Sequence, residues 1–183
     1  MNILGYDWPR LHAALNDLPA ALLFVTVLFD LAAWITKRES LRATALWTLW
    51  AGVVGGWAAV VAGLQAEDVI DHGPAIHEIM EVHERQAIVT MCIFTAVLAY
   101  KLLRRGRLKP AEEGALRVLS LFGFAGIIYT GSMGGKLAFE HAAGVPTTTL
   151  QAEILDRAKG HHHHHGAGAD TTDDHDHDED HDH

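Results

Sequence analysis

The sequence predicts an all-α polytopic membrane protein: a bundle of four transmembrane helices with short outer-face helices and a disordered C-terminal tail. Three observations carry this expectation. Four apolar runs are each long enough to cross a bilayer as a helix. The basic residues collect in the connections that follow the first and third runs. The composition is also split, since 49 % hydrophobic residues coexist with a mean hydropathy of only +0.10. The tail from His161 onward is rich in histidine and acid and has no lysine or arginine, so it carries almost all of the formal charge of −9. The remaining body is near neutral and strongly apolar, which excludes nucleic acid as a partner and makes the lipid bilayer the expected one. The organisation expected is an outer-face amphipathic segment over 1–18, the four-helix bundle over 19–141, a short outer-face helix within 142–160, and the tail over 161–183.

The first span is expected to begin after Pro19, whose fixed φ and missing N–H suit a first helical turn, and to run to about Thr36. Its one charge is Asp30, expected to face the bundle beside Thr26 because a carboxylate facing lipid is costly. The second span covers about Leu46 to Leu64, with Gly52, Gly56, Ala59 and Gly63 forming a small-residue face for another helix. Trp47, Trp50 and Trp57 are expected as interface anchors or core. The third span runs from about Ala87 to Leu103, and Pro110 prevents its continuation. The fourth, about Ala115 to Leu137, contains Gly123, Gly126, Gly131, Gly134 and Gly135, again suited to close packing. Cys92, inside the third span, is the only cysteine, so no intrachain disulfide forms.

Between the second and third spans lies DHGPAIHEIMEVHER, residues 71–85, where histidines and acids concentrate. A helix starting after Pro74 places Ile76, Met80, His83, Ala87 and Thr90 on one face that continues into the interior of the third span. His77, Glu81 and Glu84 share a neighbouring face, and together with His72 they are candidate ligands for zinc or a hard cation. The loop bases Lys37, Arg38, Arg42, Lys101, Arg104, Arg105, Arg107, Lys109 and Arg117 place both termini outside the cytoplasm, in the periplasm for a bacterial inner membrane. All five body histidines, His12, His72, His77, His83 and His141, then share the outer side.

Two inward histidines on facing helices are the arrangement by which small membrane cytochromes hold a haem b. His83 and His141 are the favoured axial pair, with His12 or His77 as substitutes, and Asp17, Glu84 and Glu140 are candidates to accept the second ring N–H. The tail histidines, the run His161, His162, His163, His164 and His165 followed by His175, His177, His181 and His183 interleaved with acids, are expected to bind zinc, nickel or copper with little geometric selectivity.

The pieces LHAALNDLPAALLFVTVLFDLAAW, AGLQAEDVI and GGKLAFEHAAGV, together with His83, span nearly all of residues 10–146. In these pieces the body resembles the bacterial membrane family catalogued as domain of unknown function 2231. Members often carry a second histidine two residues before the front proline, where this chain has Asp17. The resemblance implies a four-span bundle and no particular activity.

Three functional readings follow. The protein is a b-type haem electron-transfer subunit, a metal-handling protein whose tail passes a divalent ion to His72, His77, Glu81 and Glu84, or a structural subunit of a larger assembly. The first two imply a redox or transport partner subunit. No nucleophile motif, phosphate loop or dinucleotide fingerprint is present, so the chain is not expected to be an enzyme in its own right. Cysteine labelling checks the orientation: positions 40 and 107 are expected to be cytoplasmic and the tail external. A cytoplasmic tail would move every histidine to the other compartment.

Overall fold

The computed structural model describes residues 5–104 and 107–160. The tail 161–183, with all of its expected metal-binding histidines, lies outside the described residues, as do Arg105 and Gly106. The chain is all-helical among the described residues: α1 (Trp8–Thr36), α2 (Glu39–Glu67), α3 (Pro74–Leu103), α4 (Pro110–Phe139) and α5 (Thr147–Ala158). The first four helices are long and apolar enough to cross a membrane. They belong to one compact unit, Met1–Val145, and α5 to a second, Pro146–His183. Taken by itself, α5 is an exposed amphipathic helix with Leu150, Ile154 and Leu155 uncovered and Arg157 paired to Glu153 at 2.8 Å.

The start of α1 corrects the expectation that the first span begins after Pro19. Asp7 caps the helix by accepting the Arg10 N–H at 3.0 Å, and Pro9 fills the first turn. Pro19 therefore lies inside the helix, and residues 8–18 are its first turns, continuous with the span. Pro19 leaves one carbonyl of the preceding turn without its intrahelical partner, a loss that membrane helices accommodate by packing. Here its ring is buried against α2, where a Cβ at Gly55 would stand 3.4 Å from it. The other boundaries follow local chemistry. Lys37 takes the left-handed conformation (φ 58°) and returns its N–H to Ala33, which turns α1 into α2 within two residues. Pro74 and Pro110 occupy the first turns of α3 and α4, and Glu112 accepts the Lys109 N–H at 2.8 Å.

The tightest pairings are α1 with α2 and α3 with α4, so the bundle consists of two antiparallel hairpins. Glycines make each hairpin close. A Cβ at Gly52 would stand 2.8 Å from Leu23, and one at Gly123 would stand 2.8 Å from Phe94. A Cβ at Gly55 would meet Pro19, and one at Gly126 would meet Thr90. These correspondences obey a single rule: each position of the first hairpin matches the position 71 residues later in the second. The same separation of 71 divides Asp30 from Lys101, which form an ion pair between hairpins at 2.8 Å. Arg42 and Glu113, likewise equivalent, pair at 3.3 Å. The hairpins are therefore related by an internal two-fold axis, and equivalent residues meet across it.

The core is apolar, with Leu23, Leu49, Phe94 and Val97 almost fully buried at its centre. At the end where α1 and α3 finish, Asp30 is bracketed by Lys101 at 2.8 Å and Arg117 at 3.1 Å, and Arg117 lies over the Trp34 ring. Asp30 does not bond Thr26, whose hydroxyl donates to the Leu22 carbonyl and to Thr48. Trp47 and Trp50 are exposed on the outer surface, whereas Trp57 turns in and donates to Thr95 at 2.9 Å.

Replacing Asp30 by Ala leaves two cations, each about 15 % exposed, without their shared acid. Loss of one partner from a buried ion cluster costs about 3–5 kcal/mol. Asp30→Ala is therefore expected to lower the midpoint of unfolding in mixed detergent micelles, and an unchanged midpoint would show that Lys101 and Arg117 find other partners.

Candidate functional site

At the opposite end, where α1 and α3 begin, the hairpins part around a cavity of about 710 Å³ lined by residues of all four helices. Its volume falls within the range of roughly 300–1,000 Å³ typical of ligand pockets. His12 enters it from α1 and His83 from α3, and these two are equivalent positions of the internal repeat. Their ring centres are 6.3 Å apart and their planes nearly perpendicular, at 87°.

Each ring is held the same way. His12 Nδ1 lies 2.8 Å from the carbonyl oxygen of Ala59, and His83 Nδ1 lies 3.0 Å from that of Thr130; in both cases the partner is 47 residues along the chain. A carbonyl only accepts, so each Nδ1 carries the proton and donates it, leaving the lone pair on Nε2. One helical turn past each carbonyl is a glycine against which the imidazole rests. A Cβ at Gly63 would stand 3.0 Å from the His12 ring, and one at Gly134 would stand 3.2 Å from the His83 ring. Glycine at these positions makes room for a histidine on the neighbouring helix.

Two features of the cavity have no partner among the described residues. Thr130 Oγ1 is buried without a hydrogen bond. Gly131 and Gly135 line the cavity one turn apart, and nothing lies within 4 Å of where their Cβ atoms would stand. Unlike Gly52, Gly123 and Gly126, these glycines are not needed for helix contact. Such a cradle, beside an unpaired hydroxyl and two oriented imidazoles, fits a ligand that approaches the backbone closely.

The structure separates the expected axial pair. His83 converges with His12, whereas His141 is half-buried and is not among the described residues that line the cavity. The reason lies in the helix ends. The last helical residue of α4 is Phe139, and Ala142 then adopts a left-handed conformation (φ 50°), which places His141 in the turn beyond the helix. Helix α1 instead continues through Pro19 and carries His12 to the level of His83. Of the acids considered for the second ring N–H, Asp17 and Glu84 line the cavity, but backbone carbonyls take that role.

The expected grouping of His72, His77, Glu81 and Glu84 is also rearranged. His77 stays close to Glu81, with Nε2 to Oε1 at 3.5 Å, and His72 Nε2 approaches His77 Nδ1 at 3.1 Å. Glu84 instead turns to the cavity, which Glu67 also lines. Sequence reasoning passed over Glu67. It ends α2, and spacing rules applied along α3 cannot reach a residue contributed by the preceding helix.

A model of the DUF2231 family, described as predicted membrane protein, matches residues 9–147. No curated protein and no solved structure matches the chain.

The two classes of glycine predict opposite responses to substitution. Gly131→Ala and Gly135→Ala gain helix propensity without a clash and are expected to stabilise the protein by up to about 1 kcal/mol each. Gly126→Ala meets the buried Thr90 side chain and is expected to destabilise by about 1–3 kcal/mol. Unfolding midpoints of the three variants in one detergent check this, and destabilisation by all three would remove the distinction.

Proposed function

The chain belongs to the DUF2231 family of predicted membrane proteins, and within that bundle we propose a b-type haem electron-transfer subunit whose axial ligands are His12 and His83. The observation that carries the reading is the pair of imidazoles, 6.3 Å apart, each with Nδ1 bonded to a backbone carbonyl. A metal about 2 Å from one nitrogen of each ring, with each nitrogen roughly 1 Å from its ring centre, places the ring centres about 6 Å apart. Donation of the other ring nitrogen to a fixed acceptor is the arrangement that orients metal-ligating histidines.

The cavity around the two rings supports a large apolar group over a bare ion. It is far larger than an ion needs, mostly apolar in its lining, and bounded on α4 by the open glycine cradle. Leu23, Val60, Met80, Met91 and Ile127 line it and exclude water, and a low-dielectric surround is a principal control on haem potential. Haem held by two imidazoles supplies one-electron transfer, since no coordination position remains for another ligand. The protein's part is to fix both rings, keep the site dry and present it near one end of the bundle. A redox partner subunit would meet that end, which the distribution of basic residues assigns to the periplasmic face of a bacterial inner membrane.

A second reading is favoured by a separate observation. Asp17, Glu67 and Glu84 line the cavity and, among the described residues, no lysine or arginine does, so the field at its mouth suits a cation. Under this reading His12 and His83 hold a transition-metal ion without a porphyrin.

Visible spectra of the full-length protein, purified in detergent and compared oxidised and reduced, separate the two. The haem reading expects a Soret band that shifts on reduction, is lost in His12→Ala and His83→Ala, and persists in His141→Ala. Gly135→Leu is expected to fill the cradle and abolish the band while helical content is kept. Retention of the band in His12→Ala with loss in His141→Ala would overturn the assignment of ligands. Absence of any Soret band, with a metal ion lost from the two histidine variants, would replace haem by the ion.

A further inference from the structure

The connection from α2 to α3 carries a second set of histidines that the cavity does not use. Glu67 is the last residue of α2, His72 stands in the loop, and His77 lies in the first turns of α3. One ligand atom from each lies within 4.8 Å of the others. His72 Nε2 is 3.1 Å from His77 Nδ1, and Glu67 Oε1 is 3.6 Å from the same nitrogen.

The remaining ring nitrogens decide what these three atoms can do. His72 Nδ1 lies 2.6 Å from the Ile70 carbonyl, which only accepts, so Nδ1 holds the proton and Nε2 the lone pair. With His72 Nε2 an acceptor, the 3.1 Å hydrogen bond between the rings has His77 Nδ1 as donor; moving that proton to His77 Nε2, which faces the Glu81 carboxylate at 3.5 Å, turns the Nδ1 lone pair inward. In that tautomer two imidazole lone pairs and a carboxylate oxygen stand within 4.8 Å of one another. Three acceptors directed at one point repel one another unless a cation stands between them.

We propose that Glu67, His72 and His77 form a divalent-cation site of the zinc type, with the Ile70 carbonyl and Glu81 holding the two imidazoles in their ligating tautomers. The separations match the coordination. Ligand atoms placed tetrahedrally at about 2.0–2.2 Å from zinc are roughly 3.3–3.6 Å apart, and the observed 3.1 and 3.6 Å lie close to that range. The same geometry, with each nitrogen about 1 Å from its ring centre, sets the ring centres about 5 Å apart. They stand 5.2 Å apart. Both imidazoles carry the outer acceptor that ligating histidines ordinarily have. Three protein ligands leave the fourth position to water or an exogenous donor, as in open zinc sites. His77 is about half exposed, so the site is reached from solvent. Neither of its histidines is His12 or His83, and Glu67, which also lines the cavity, is the one residue the two sites share.

The test uses the full-length protein in detergent, with Zn(II) and Co(II) as probes and with His72→Ala, His77→Ala, Glu67→Gln and Glu81→Gln as variants. Tail histidines bind in every variant, so the readout is the difference from the unsubstituted protein. The expected result is one equivalent of Zn(II) lost in each of the three ligand variants, together with loss of a tetrahedral Co(II) absorption band. Glu81→Gln is expected to keep the stoichiometry and weaken that equivalent by about 10–100-fold, as removal of an outer partner does. Glu67→Gln preserves side-chain shape, and helical content measured alongside shows that loss of metal is not loss of fold. Equal stoichiometry and affinity in the unsubstituted protein and in all ligand variants would overturn the site, as would a purely octahedral Co(II) spectrum.

Discussion

Close approach of two helices is possible only where one of them lacks a side chain, and that constraint organises the whole bundle. Gly52, Gly55 and Gly63 let α1 settle on α2, and Gly123, Gly126 and Gly134 let α3 settle on α4 at equivalent positions. Lipid supplies no hydrophobic drive between helices, so packing at small residues and internal polar pairs must hold the hairpins. In the same hairpins, the glycine at 63 seats His12 and the glycine at 134 seats His83. Helix packing and site construction therefore depend on one set of residues.

The internal two-fold axis gives the two ends of the bundle different chemistry. At one end, equivalent residues differ in sign: Asp30 meets Lys101 and Arg42 meets Glu113, so the hairpins are joined by charge pairs. At the other end the equivalent residues are identical, and His12 meets His83. Identical acceptors cannot satisfy each other directly. Under the proposed function a metal centre would stand between the two rings near the axis, whereas the charge-complementary pairs at the other end close the axis themselves.

The polar atoms at the histidine end follow a common pattern. His12, His83 and His72 each give one ring nitrogen to a backbone carbonyl, and His77 gives one to a carboxylate. In the α2–α3 connection the other ring nitrogens of His72 and His77 lie 3.1 Å apart, with Glu67 3.6 Å from that of His77. The cavity and the α2–α3 connection are neighbours, and Glu67 borders both.

Composition and periodicity determined a good deal by themselves. Four runs too apolar for water and long enough for a bilayer could only be membrane helices, and His83 fell on the inward stripe with Met80 and Thr90 because that stripe follows from helical geometry. Proline was misleading: Pro19 resembles a helix start, but the cap at Asp7 and Pro9 and the glycine opposite Pro19 let α1 run through it. The 71-residue correspondence was hidden because it rests on one histidine, one leucine and three glycines among otherwise different residues. Only the tertiary structure decided which imidazoles meet. That choice depends on how far α1 extends and where α4 ends, and on the register of one hairpin against the other, none of which is encoded by spacing within a single helix. Glu67 joined His72 and His77 for the same reason, since ligands from the end of one helix and the start of the next become neighbours only when the chain between them turns back.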